Sequence, residues 1–293
     1  MRPEQIADIR QPSDPAIHPA GGRGAFVVKQ MDLDDDWYVS AIWQWDGDGC
    51  SPFTAGPADT APRWSPDGTM LAFLRAPDPS QKPQLAVMPA DGGEPLILTD
   101  FELGVTEVEW SPDGSRMAVV AAEYVPELQG LDQEERERRA RRITSLPFRW
   151  DNKGWIHDRR HHAWIIDPSG ETDAVCLTPG DHNETGVVWS PDSSEIAFLS
   201  PRHEAYGLES GTQVYTVGFG GGEATLRAEV GSWADLSFDG SGRLYAGGNP
   251  DHWDHPSTTR LYRLDADGAV ALTQQLDRNV VVPAPPTTPS GPQ

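Results

Sequence analysis

The densest run of side chains able to do chemistry in this 293-residue sequence is His157-Asp158-Arg159-Arg160-His161-His162. If the run is extended, His157 and His161 share one face and Asp158 and His162 the other, because side chains alternate along a strand. Either pair could begin a metal site. Arg159 and Arg160 would repel the cation, however, and no third ligand is spaced to complete the set, so the run reads as a polar loop rim. Asp251-His252-Trp253-Asp254-His255-Pro256 sets imidazole beside carboxylate, two members of a hydrolytic triad, but no activated Ser or Cys accompanies them. Its proline and acids read as a loop between strands. No serine stands in a Gly-x-Ser-x-Gly context, the strand-to-helix elbow that exposes a nucleophile in α/β-hydrolases.

The remaining candidates are weaker. Asp34-Asp35-Asp36 lacks the alternation of a calcium loop and reads as solvated. Gly220-Gly221-Gly222-Glu223 joins two strands and has no helix N-terminus for a phosphate, so it reads as a hairpin turn. Cys50 follows Gly49 in a turn, and Cys176, in Val175-Cys176-Leu177, reads as a small core residue. We therefore expect no catalytic, cofactor-binding or metal-binding residue, and no cofactor. Two cysteines do not make a disulfide framework, which fits a reducing compartment. With 23 Lys plus Arg against 45 Asp plus Glu, the net charge of −22 disfavours nucleic acid and anionic membrane as partners. MRPEQIADIRQPSDP has no apolar core of the signal-peptide kind, and no stretch approaches the length of a membrane span, so a cytoplasmic protein is expected.

What positions these residues is a repeat. Trp64-Ser65-Pro66-Asp67-Gly68 recurs at Trp110–Gly114 and, as WSPDS, at Trp189–Ser193. Each copy precedes an apolar run: MLAFL, RMAVV or EIAFL. Worn copies at Ile17–Gly21 and Leu236–Gly240 extend the series to five. Ser, Pro, Asp and Gly in that order suit a type I turn, in which proline presets the backbone and the Ser and Asp side chains bond it locally. Ser193 in the glycine position should strain its turn slightly. A second half of each unit, such as PQLAVMPADGGEPLILTD, supplies two more strands around a turn. The runs after the turns are apolar on both faces and must lie in sheets covered on both sides. Four short strands per unit of 46 or 47 residues is the blade of a β-propeller, with the motif Trp wedged between blades. The fold class expected is all-β, a propeller of about five four-stranded blades over residues 1–276. One interval is longer, and its excess at about 123–155 reads as an inserted arm. There Asp132 caps a short helix and Glu135 reaches back to it, with i,i+4 pairs Glu134–Arg138, Glu135–Arg139 and Glu137–Arg141. Residues 277–293 read as a Pro-rich tail or the start of a sixth blade at Val280-Val281-Val282.

The WSPDG turns and the ADGGE…LT hairpin resemble the propellers of TolB-type proteins and of prolyl oligopeptidases. The course IADIRQPSDPAIHPAGGRGAFVV, then WYVSAIWQWDGDG, then RRITSLPFRWDNKGWIHDRRHHAWIID is similar to the acylaminoacyl-peptidase branch of the prolyl oligopeptidase family, over about Pro3 to Asn279. That resemblance implies a serine peptidase in which a propeller, usually seven-bladed, restricts access to an α/β-hydrolase domain carrying the catalytic Ser, Asp and His. This sequence departs from it: with five units and no elbow, about two blades and the hydrolase domain are expected to lie outside it. No catalytic residue carries over, and the chain alone is expected to be inactive. The function expected is the substrate-gating part of a peptidase acting on acylated or short peptides, with self-association through an open propeller edge. The alternative is a self-contained, TolB-like five-bladed binding module.

Overall fold

The repeat turns set the architecture. In the first full copy the Gly68 amide donates to the Ser65 carbonyl at 2.8 Å and the Ser65 amide to the Met70 carbonyl at 2.9 Å. Ser65 Oγ donates to Asp67 Oδ1 at 2.6 Å and accepts from the Met70 amide at 2.9 Å. The same serine-to-aspartate bond forms at Ser111–Asp113 and Ser190–Asp192. The fourth position is left-handed in the three full copies, with φ of +72° at Gly68, +70° at Gly114 and +60° at Ser193. Ser193 thus occupies a conformation that a Cβ disfavours, and the turn survives it, as expected.

A computed structural model of the chain describes residues 2–151, 153–251, 253 and 258–280. It comprises two compact units, the described residues of 2–119 with 166–174 and those of 120–165 with 175–280. The first unit holds an eight-stranded sheet made of two four-stranded blades. The first blade is Gln11–Ile17, Gly24–Asp32, Trp37–Trp45 and Cys50–Pro52; the second is Ala58–Trp64, Met70–Ala76, Gln84–Pro89 and Leu96–Ile97. A four-stranded sheet follows, in the order Val175–Cys176, Arg159–Ile166, Met117–Tyr124, Val105–Trp110, and its strand Met117–Tyr124 crosses from the first unit into the second. The second unit holds a seven-stranded sheet. Thr185–Trp189, Glu195–Ser200 and Thr212–Gly218 pair into the 14-residue strand Thr225–Phe238, which continues into Leu244–Asn249, Arg260–Asp265 and Gly268–Ala271. That long strand serves as the outer strand of the fourth blade and the inner strand of the fifth.

Two dry faces per strand are observed. Leu71, Ala72 and Phe73 are all fully buried, as are consecutive residues from Met117 to Ala121. Trp64 and Trp189 are buried and Trp110 half-buried. Trp64 Nε1 donates to the Ala16 carbonyl of the first blade at 3.1 Å, so the indole is the wedge between two blades. Gly221 and Gly222, both at positive φ, close the hairpin between Thr212–Gly218 and the long strand, as read from the sequence.

The inserted arm differs in detail. Its helix is Gln133–Arg138, and the Asp132–Glu135 capping box forms in both directions, at 2.9 and 3.0 Å. Glu134 pairs with Arg138 as expected. Arg139 instead donates to the Glu127 carbonyl, and Arg141 turns away from the Glu137 side chain to Asp158, because a buried carboxylate offers a charge-assisted partner that the solvated face does not. Cys176 is half-buried in a two-residue strand rather than in the core, because that strand is too short to be covered on both faces. Among the described residues no helix is long and apolar enough to cross a membrane. His252, Asp254, His255, Pro256, Val281, Val282 and the Pro-rich tail lie outside the described residues.

Candidate functional site

The run at 157–162 is not one extended strand. Ile156–Asp158 makes a 3-10 turn and the strand starts at Arg159, so the two shared faces drawn from sequence do not form. Asp158 is clamped by Arg141, whose Nε lies 3.0 and 2.9 Å from its two oxygens and Nη2 2.6 Å from Oδ2. His157 Nδ1 meets Ser145 Oγ at 3.3 Å, on a bend rather than a strand-to-helix elbow. His161 is held by Asn183, whose Oδ1 accepts from the His161 amide at 3.0 Å, and burial lowers its imidazole below the ordinary range, so it is neutral at pH 7. Among the described residues no group of three or more His, Cys, Asp or Glu is placed to hold a metal.

The strongest polar cluster centres on Glu184, a fully buried carboxylate in the second unit. His162 Nδ1, at 3.1 Å, and Thr178 Oγ1, at 3.0 Å, contact Oε2. Ser200 Oγ, at 3.1 Å, and Arg202 Nη2, at 2.7 Å, contact Oε1. Burial alone would raise this carboxyl, but the bonds from His162 and Arg202 outweigh it and hold the group ionised below the usual range. With partners on both oxygens, Glu184 has no capacity left to act as a base. The Ser200 hydroxyl, bonded to it, has its proton committed to that bond. The chemistry the cluster performs is positional: it fixes the entry of the strand Thr185–Trp189.

A second cluster repeats the pattern in the second blade. Asp59 is fully buried and takes Arg75 bidentately, Nε to Oδ1 at 2.8 Å and Nη2 to Oδ2 at 2.7 Å. Asp59 stands five residues before Trp64, as Glu184 does before Trp189. Sequence reading missed both acids. An acid five residues before the motif tryptophan, answered by an arginine at the end of the next strand or just past it, was the available signal.

The blades define the class of fold, a β-propeller. No family model matches the chain. It is 31% identical over 203 residues, 67% of its length, to the uncharacterized peptidase YuxL of Bacillus subtilis strain 168. Among solved structures it is similar to the acylaminoacyl peptidase of Pyrococcus horikoshii, with a TM-score of 0.73 at 19% identity over 94% of this chain. It also matches the β-propeller domain of the Trilobed protease from Pyrococcus furiosus, with a TM-score of 0.62 at 19% identity, covering 93% of this chain and 73% of that one. A putative TolB from Agrobacterium tumefaciens matches with a TM-score of 0.56 at 18% identity, covering 89% and 79%. The chain spans 30% of the length of the YuxL peptidase and 41% of the P. horikoshii chain. The likeness to acylaminoacyl-peptidase-type propellers, read first from sequence, is found in the fold, and the sequence relationship is to a peptidase.

Proposed function

We propose that this chain is the substrate-gating, non-catalytic propeller portion of a peptidase acting on acylated or short peptides. The observation that carries the reading is the 203-residue relationship to a peptidase, within a chain whose fold matches an acylaminoacyl peptidase. The inserted arm and one face of the blades would support the hydrolytic part. The polar clusters favour this role over catalysis, since Glu184 and Asp59 are consumed in clamps. The 203 matched residues of this chain, substituted for the corresponding part of YuxL, provide the test. The chimera should cleave short acyl-peptide p-nitroanilides while sparing an unfolded polypeptide, and the chain alone should show no turnover sensitive to serine reagents. A chimera that degrades long chains as fast as short ones would remove gating, and turnover by the isolated chain would remove the non-catalytic assignment.

A second reading, a self-contained TolB-like binding module, is favoured by the 79% coverage of the TolB chain. A monodisperse monomer with one sharp melting transition would support it.

A further inference from the structure

The way the second blade sits on the first shows what an uncovered blade face requires. The shared core is built from Trp64, Leu71, Phe73 and Met88 on the second blade, against Ala25 and Ile42 with Ala16 and Phe53 on the first. Register identifies the matching leading face of the first blade. Trp64 opposes Leu71, Leu71 opposes Met88 and Phe73 opposes Ala86; Ile17 opposes Gly24, Gly24 opposes Trp45 and Phe26 opposes Trp43. Ile17, Gly24, Phe26 and Trp45 therefore occupy the positions of the docking residues Trp64, Leu71, Phe73 and Met88. The same four line an open apolar groove of about 350 Å³. Ile17 is 67% exposed and Trp45 41%, whereas Trp64 is 8% exposed.

The trailing face has the converse vacancy on the fifth blade. Ile42, Leu85, Ala163 and Val214 hold one equivalent position in the first four blades, and all are at 0% exposure. Leu261, which opposes Gly247 as Ile42 opposes Val27, is half-exposed in that position. Leu272 bonds the Leu261 carbonyl as Phe53 bonds that of Ile42, and it is 46% exposed. Among the described residues each copy of the chain thus shows one leading face and one trailing face with no blade against it, and these two kinds of face cover each other between the first and second blades.

We propose that the Ile17–Trp45 groove is a docking surface for the fifth-blade trailing face of a second copy of this chain, giving head-to-tail association. Such a contact uses different patches on the two partners and does not close as a two-fold dimer, so oligomers should lengthen with concentration. The net charge of −22 opposes the approach of copies, so added salt should strengthen it.

Sedimentation velocity on the full chain, over a concentration series at low and high salt, tests this with Trp45→Glu and Leu272→Glu. Either substitution buries a carboxylate in the apolar contact and should weaken association by at least about tenfold. Far-UV circular dichroism and melting confirm that each variant is folded. An equimolar mixture supplies one good leading face and one good trailing face, so it should form dimers and stop there. Monomeric wild type at every concentration, association that survives either substitution, or a mixture that stays monomeric would overturn the proposal.

Discussion

Trp110 Nε1 donates to the backbone carbonyl of Arg63 at 3.0 Å, 47 residues back. Trp64 makes the same bond to Ala16, 48 residues back. The motif tryptophan is thus both an apolar wedge and a fastener, one polar atom reaching the strand of the preceding repeat. Trp64→Ala should cost about 3–5 kcal/mol of unfolding free energy, from lost burial and the cavity left behind. Trp64→Phe should lose less, because it keeps most of the volume and forfeits the bond. Urea unfolding followed by circular dichroism gives both values; a Trp64→Phe loss near zero would show that the bond contributes nothing, and equal losses would show that the buried volume contributes nothing.

The turn glycines differ in what surrounds them. Gly114 is at φ +70° with only Pro66 nearby, at 3.7 Å from an added Cβ, so Gly114→Ala meets backbone strain alone, about 1 kcal/mol. An added Cβ at Gly68 would run into His18 Nε2, which itself contacts the Gly68 carbonyl. Gly68→Ala should therefore destabilise more than Gly114→Ala in thermal melts.

Removing one member of a buried ion pair strands the other. Arg202→Ala leaves Glu184 buried with only His162, Thr178 and Ser200, and Arg75→Ala leaves Asp59 without its bidentate partner. Each should cost about 3–5 kcal/mol. Glu184→Gln, which removes the charge and keeps the shape, should cost less than Arg202→Ala. The reverse order in denaturant titrations would mean that the ionised carboxylate is not what the cluster is built around.

Acid stability follows from the same groups. Hydrogen bonds from Ser111 and Ser115 hold Asp113 at about 2, and the Ser65, Ser190 and Ser241 hydroxyls lower Asp67, Asp192 and Asp239 in the same way. A carboxyl lowered on folding stabilises the fold above its ordinary value and loses that stabilisation as pH falls through the folded one. His161, lowered by burial, favours the fold above its ordinary value of 6.5. The melting temperature should decline gently below about pH 6.5 and steeply between about pH 4 and 2. A flat profile down to pH 3 would contradict this.

The thiols should separate kinetically. Cys50 is exposed, whereas burial pushes Cys176 up to about 11, leaving about one thiol in a thousand ionised at pH 8. Ellman titration of the native chain should show one fast thiol, and Cys50→Ser should abolish the fast phase.

Much of the fold was legible because the repeat writes its own grammar. Ser-Pro-Asp-Gly dictates a turn, and dry runs such as MLAFL require neighbours on both faces. The Asp132–Glu135 box was legible for the same reason, since its partners lie three residues apart. What the sequence hid was long-range choice. Nothing local says that Arg141 prefers Asp158 over Glu137, or that His162 faces Glu184 22 residues later, because those outcomes depend on which carboxylate the fold desolvates. The 157–162 run misled for a related reason: reading it as one strand assumed a backbone that the 3-10 turn at Ile156–Asp158 interrupts.

The 14-residue strand Thr225–Phe238 has a mechanical implication. It pairs with Thr212–Gly218 near one end and Leu244–Asn249 near the other, so it rivets two blades that elsewhere would be joined by a loop. Fraying that starts at either margin has no slack linker in which to stop. The fourth and fifth blades should exchange their amide hydrogens in concert, as one cooperative segment rather than as two.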